Sequence, residues 1–185
     1  METTTFEIVT AKSNIDWTGR KVTGAHNGTI NIKEGQFLFT EGQLTGGNVI
    51  IDTTSIKILD ITDPDTNAQF AGHLASDDFF AVEKFPTAAF ETTAAKQNPD
   101  GHYFLEGNLT IKGITHPAKL ETAVKSTQDT LTLSGKLTID RTLYGIKFRS
   151  GNFFKDLGDT LIYNDFELDI NITAKNTSST KTFNN

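Results

Sequence analysis

The sequence contains no cysteine, which excludes disulfides, thiol catalysis and thiolate-bound metals. It is also poor in positive charge. Seventeen Lys and Arg stand against 23 Asp and Glu, for a formal charge of −6, and the lysines are scattered rather than gathered into a basic face. Nucleic acid is therefore not an expected partner, because phosphate binding needs such a face. No stretch approaches the ~18 apolar residues of a helical membrane span. The opening Met1-Glu2-Thr3-Thr4-Thr5-Phe6 has no basic region followed by an apolar run. The location expected is cytoplasmic if the chain is complete, and periplasmic if a leader has been removed. The four histidines, His26, His73, His102 and His116, show no metal-binding spacing, and Ser76 lacks the glycine-flanked elbow of a hydrolase nucleophile. No metal, cofactor or catalytic group is expected. Proline is scarce, and two of the four, Pro64 and Pro86, bracket one segment.

What the chain does have is phenylalanine. Fourteen Phe against three Tyr and one Trp supply large apolar surface without a polar handle to satisfy, as suits a greasy interior. At 185 residues and 36% hydrophobic content the chain can bury one core. A single domain is expected over residues 1–175, with a frayed polar tail over 176–185.

Most of the chain reads as strand. Phe6, Ile8, Ile15 and Trp17 sit among Thr, Asn and Asp in two short strands on either side of 11–14. Residues 27–33 alternate, Glu34-Gly35 reads as a turn, and 36–39 resume. Residues 44–52 are rich in β-branched side chains, and Ile56-Lys57-Ile58 prolong them. Tyr103, Leu105, Gly107, Leu109, Ile111 and Gly113 line one face while His102, Glu106, Asn108, Thr110 and Lys112 line the other. A turn at Ile114-Thr115-His116-Pro117 leads into a strand through Leu120 and Val124. The alternation returns at Leu131, Leu133, Gly135, Leu137 and Ile139, and again at Phe166, Leu168, Ile170, Ile172 and Ala174.

Two stretches interrupt this pattern. Asp63-Pro64 is a helix start, and Phe70 and Leu74 fall on one helical face, so a short helical insertion is expected near 64–80, closed by Pro86. The second, Leu143 to Lys155, carries Phe148, Phe153 and Phe154. The strand count and turn spacing predict an all-β, antiparallel, eight-stranded or slightly larger up-and-down barrel, or failing that a sandwich. A barrel of about eight strands either fills with side chains or holds one small ligand.

Several pieces together resemble the YceI-like family of lipocalin-like barrels associated with polyisoprenoid binding. They are Ile15-Asp16-Trp17-Thr18-Gly19 with Val22-Thr23-Gly24, the stretch from Gly72-His73-Leu74 through Phe79-Phe80 to Phe85-Pro86, Gly107 to Pro117, and Asp140-Arg141 with Tyr144-Gly145-Ile146. The resemblance implies a barrel with an apolar channel for an isoprenoid chain, such as a polyprenyl phosphate or a quinone tail.

Physical chemistry accommodates that ligand. Each five-carbon isoprene unit gains roughly 3–4 kcal/mol on burial, at about 0.8 per CH₂, so three or four units offset an association cost of ~4–15 kcal/mol. Strand parity assigns Trp17, Ile30, Ile32, Leu105, Leu109 and Ile111 to the interior, along with Leu133, Leu137, Phe166, Leu168 and Ile170. The interruptions add His73, Leu74, Phe79, Phe80, Arg141, Phe148, Phe153 and Phe154 at the mouth. Lys147, Arg149 and Lys155 are basic residues set among aromatics that could meet a phosphate head group. His73 is open to two roles, a head-group contact or a histidine bonded to backbone that fixes the helix. The main reading is thus a non-catalytic isoprenoid carrier. The alternatives are a barrel enzyme using His73, Asp77 and Arg141 on a small apolar or lipid substrate, and a structural or partner-binding barrel filled by its own side chains. Homodimerisation through an edge or mouth is left open.

Overall fold

A computed structural model describes residues 2–177. Nine strands follow in order: Thr3–Ile8 (β1), Asn14–Lys21 (β2), Gly24–Thr40 (β3), Gln43–Ile58 (β4), Thr87–Gln97 (β5), Tyr103–Ile111 (β6), Ile114–Ser126 (β7), Thr130–Asp140 (β8) and Ile162–Asn176 (β9). One α-helix, Pro64–Ala75 (α1), lies between β4 and β5.

From β2 to β9 each strand pairs antiparallel with the next in sequence, and β2 pairs with β9 to close the ring. The result is an eight-stranded up-and-down barrel with one extra strand. That extra strand is half a stave. β1 pairs with residues 36–40 of β3 and 174–176 of β9, whereas β2 pairs with 24–30 of β3 and 162–171 of β9. Both run in the same direction between the same neighbours, separated by a single 3-10 turn at Thr10–Lys12.

The sequence signals and the structure agree on the helix. Asp63 accepts from the Thr66 N–H at 3.0 Å, satisfying one of the donors a helix start leaves bare, and Pro64 occupies the first turn. Chain reversals differ from expectation in two places. Glu34-Gly35 is not a turn: β3 runs through it to Thr40, with a register shift against β4 between Ile32 and Glu34. Gly35 is there for close approach, since a Cβ would overlap the Asn48 carbonyl and reach within 2.7 Å of Ile8. The reversal comes at Glu41-Gly42, with φ of 54° and 79°, the two left-handed residues that match a hairpin's twist.

The second reversal is Lys112-Gly113, with φ of 53° and 74°, not residues 114–117. Gly113 is thus a turn residue rather than part of a strand face, and His116 and Pro117 lie inside β7. Pro117 is tolerated because residues 114–121 of β7 pair with β6 alone, β8 joining only from Thr122. At the C-terminal end, Asn176 closes β9 and Thr177 donates to the Thr5 carbonyl at 2.9 Å, so these two residues of the expected frayed tail are held. Residues 178–185 of that tail lie outside the described residues.

The core is divided along the barrel axis. At the end holding β1 and the β3–β4 turn, Phe6, Phe37, Phe39, Leu44, Tyr103 and Leu131 fill the interior, Phe6 and Phe39 packing edge-on at 5.3 Å. The Tyr103 hydroxyl accepts from the Leu44 N–H at 3.4 Å within this plug. The opposite end, where α1 and the long β8–β9 connection lie, is open inside.

Candidate functional site

The open half encloses a cavity of about 610 Å³, within the range of small-molecule pockets. Its wall is built from inward residues of seven strands: Trp17 on β2, Ile30 on β3, Ile51 and Ile56 on β4, Ala88 on β5, Leu109 and Ile111 on β6, Ile139 on β8, and Phe166 and Leu168 on β9. Trp17 lies across Gly28, its cross-strand partner, where a Cβ would come within 2.6 Å of the indole. The indole N–H donates to the Thr29 carbonyl at 3.2 Å, so the one polar atom of this large side chain is satisfied and its apolar face is left for the cavity.

The roof comes from both interruptions. Phe70, His73 and Leu74 of α1, Phe79 and Phe80 of the turn behind it, and Ile146 and Phe148 of the β8–β9 connection all line the cavity. His73 joins the two halves: its ring stands edge-on to Phe79 at 4.9 Å and to Phe148 at 4.6 Å, and its Nε2 lies 3.0 Å from Asp78 Oδ2. Lys112 donates to the Asp77 carbonyl at 3.1 Å, tying the same turn to the β6–β7 reversal, and partial burial pushes the Lys112 ammonium below its ordinary range against the pull of Asp77.

Arg141 holds the connection from inside. Only 4% exposed, it donates from Nε to the Tyr163 carbonyl at 3.0 Å, from Nη1 to Ile146 at 2.9 Å and from Nη2 to Ile162 at 3.0 Å. Among the described residues no carboxylate forms an ion pair with it. Burial lowers its pKa, while the charge of Asp140 opposes that shift. Ser150, fully buried, donates to Asn164 at 2.6 Å and adds a second tie. Burial likewise raises the pKa of Tyr144, beside Asp140.

Trp17, Ile30, His73, Leu74, Phe79, Phe80, Leu109, Ile111, Arg141, Phe148, Phe166 and Leu168 all line this one cavity. Ile32, Leu105, Leu133 and Leu137 point inward but lie in the packed core rather than the cavity wall, and Ile170 packs against that core. Phe153 and Phe154 do not line the cavity and stand half-exposed, at 50% and 49%. The sequence reading missed Ile51, Ile56, Phe70, Ala88, Ile139 and Ile146. It also missed polar lining residues, Arg20, Lys21, His26, Asp159 and Asp165 among them. Ile139 was available from parity, since it continues the Leu137 face.

The geometry also bears on the acid–base alternative. His73 takes Asp78, Asp77 pairs instead with Lys84 at 3.3 Å, and the mapped bonds of Arg141 all go to backbone. Asp100, His102 and Glu121 bring their ligand atoms within 4.8 Å of one another, but on the exposed surface at the filled end.

The family model for the YceI-like domain matches residues 6–174. UPF0312 proteins of Yersinia enterocolitica and Yersinia pestis are each 40% identical over 97 residues, which is 51% of this chain and 46% of theirs, so the matched stretch spans about half the length of these curated relatives. Among solved structures, BcnA of Burkholderia cenocepacia has a TM-score of 0.73 at 21% identity, covering 90% of this chain and 99% of that one. A polyisoprenoid binding domain from Saccharophagus degradans has a TM-score of 0.63 at 12% identity, covering 92% and 98%. The YceI protein of Campylobacter jejuni has 0.58 at 19%, covering 79% and 83%. At these identities the likeness is one of fold.

Proposed function

The chain belongs to the YceI-like domain family, and we propose that within it the protein is a non-catalytic carrier of an apolar isoprenoid lipid held in the open half of the barrel. The observation that carries this reading is the cavity of about 610 Å³, walled by aliphatic and aromatic side chains and roofed by aromatic ones. Such a lining offers little to a polar substrate. It offers an isoprene unit burial worth roughly 3–4 kcal/mol. The packed half sets a floor, so the first units of a long chain go inside and the remainder stays at the mouth. Apart from Arg141, whose guanidinium is bonded to backbone, the charged residues lining the cavity, Arg20, Lys21, Arg149, Asp159 and Asp165, come from the mouth end, where they can orient a head group but contribute little apolar affinity. The polyisoprenoid binding domain of Saccharophagus degradans shares this fold and supports the same ligand class here.

Native mass spectrometry of the purified protein, followed by organic extraction, tests the proposal. A co-purified or reloaded isoprenoid quinone or polyprenyl phosphate is the expected result and identifies the head group. Delipidated protein that takes up neither would overturn it.

A further inference from the structure

The large hydrophobic side chains exposed to solvent are not spread evenly. Among the described residues, Phe104 alone lies at the filled end. The rest crown the cavity end: Val22 in the β2–β3 turn, Leu59 just after β4, Ile114 just after the β6–β7 turn, and Leu143, Phe153, Phe154 and Tyr163 along the β8–β9 connection and its return. Their exposures run from 38% to 60%. Apolar side chains scattered singly over a surface need no explanation, but this set rings one opening.

The β8–β9 lip of this rim carries a local run of positive charge, whereas the α1 side of the same end holds Asp60, Asp63, Asp65, Asp77, Asp78 and Glu83 against Lys84. Residues 143–155 hold Lys147, Arg149 and Lys155 and no carboxylate, in a protein of net charge −6; Asp156 and Asp159 come only as the connection returns to β9. Two of these cations are built into the aromatic cluster, Lys147 Nζ lying 4.8 Å over the Phe153 ring and the Arg149 guanidinium 4.9 Å over Phe148. Half-exposed aromatics interleaved with Lys and Arg suit a bilayer interface, where the rings enter the boundary and the cations meet anionic head groups.

We propose that the rim formed by Val22, Leu59, Leu143, Phe153 and Phe154, with Lys147 and Lys155, docks the barrel mouth-down on an anionic phospholipid bilayer. Docking would let an apolar chain pass between membrane and cavity without crossing water, where its hydration is unfavourable. That consequence rests on the carrier reading, whereas the docking itself does not. The interleaving of half-exposed rings with Lys147 and Arg149 selects an anionic bilayer as the occupant, since that chemistry matches an interface of acyl chains and anionic head groups.

Flotation with vesicles lacking any isoprenoid separates the two ideas. Purified protein is mixed at low salt with vesicles of phosphatidylcholine alone or blended with phosphatidylglycerol. Wild type is expected to float with the blended vesicles. The double variant Phe153→Ser/Phe154→Ser should lose about tenfold of the bound fraction, while Phe104→Ser, a matched exposed Phe at the far end, floats as wild type. Lys147→Ala/Lys155→Ala should lose the preference for the anionic blend, and thermal melts confirm that each variant is folded. The proposal is overturned if wild type stays with the unbound protein, if Phe104→Ser loses as much as the double variant, or if neither rim variant changes flotation. Wild type that ignores both vesicle types but forms dimers or captures a protein overturns it equally.

Discussion

The rings of His73 and Phe148 meet edge-on, centroids 4.6 Å apart with planes at 83°, and this contact couples the last turn of α1 to the β8–β9 connection across the cavity roof. Phe148 also meets Phe79, at 5.6 Å. Each aromatic pair contributes about 0.5–1.5 kcal/mol beyond area burial. Phe148→Ala should therefore release a bound isoprenoid roughly tenfold faster, with the melting midpoint lowered by several degrees through the two lost ring contacts. Stopped-flow displacement of a fluorescent isoprenoid reads this directly, and an unchanged release rate would show that the roof is not the gate.

The division of the barrel into a filled and an open half predicts opposite effects from two substitutions. Leu131, fully buried in the plug, should cost about 2–5 kcal/mol when changed to Ala, through lost contacts and the void left behind, and should leave ligand binding intact in the folded fraction. Ala88 faces the cavity. Ala88→Phe places a ring in empty space and should abolish isoprenoid uptake with stability retained. Urea melts and ligand titrations on both variants test the pair; loss of binding in Leu131→Ala at full folding would contradict it.

Arg141 acts as an internal clamp. Removing its guanidinium in Arg141→Met strips donors from the carbonyls of Ile146, Ile162 and Tyr163, and should destabilise the protein by about 2–5 kcal/mol. Arg141→Lys, with one ammonium for three acceptors, should fall between. Chemical denaturation distinguishes this from a ligand-contact role, in which the stability of the empty protein would hold and only affinity would drop.

Asp60 gives a pH signature. Burial pushes its carboxyl upward, but hydrogen bonds from the Asn27 N–H at 3.0 Å and from His26 at 2.7 Å, with the histidine's charge, outweigh this and leave the pKa below the ordinary value. A carboxylate with a lowered folded pKa adds stability that is complete above its unfolded value, ~3.9, and is lost as the pH falls through the folded value. Asp60→Asn should thus be less stable than wild type by about 1 kcal/mol at pH 5, and the gap should narrow as the pH drops towards 2. A gap that stays constant over that window would remove Asp60 from this role.

The fold was largely legible because each signal was local. Asp63-Pro64 announces α1 through cap chemistry, and the alternations at 103–111, 131–139 and 166–174 fix three strands and their inward faces. The turns were harder. Glu34-Gly35 and Glu41-Gly42 are the same dipeptide, and only the partner strand's approach to Gly35 decides which one reverses the chain. His116-Pro117 carries turn residues yet sits where β7 is paired on one side only, a fact set by β8 far along the chain.

The cavity was legible in one dimension. Parity states whether a side chain points in or out, so Leu105 and Leu109 received the same assignment. It does not state height along the barrel axis, which depends on strand stagger, and height puts Leu105 in the plug and Leu109 in the wall. Phe153 and Phe154 lie in a connection with no alternation to read, so composition alone placed them at the ligand-binding mouth, whereas the structure leaves them half-exposed and off the cavity wall.

The seam between β2 and β9 has a kinetic consequence. Every other junction of the ring joins strands adjacent in sequence, but here Asn14 must find Asn171 and, in the half-stave, Phe6 must find Asn176. Loop-closure entropy grows with the separation, and contacts this distant slow the search for the native state. During synthesis the edge of β2 that will meet β9 stays bare until nearly all of the described chain has emerged, and the β9 edge is bare until it finds β2. Those edges are the surface on which newly made molecules would pair with one another.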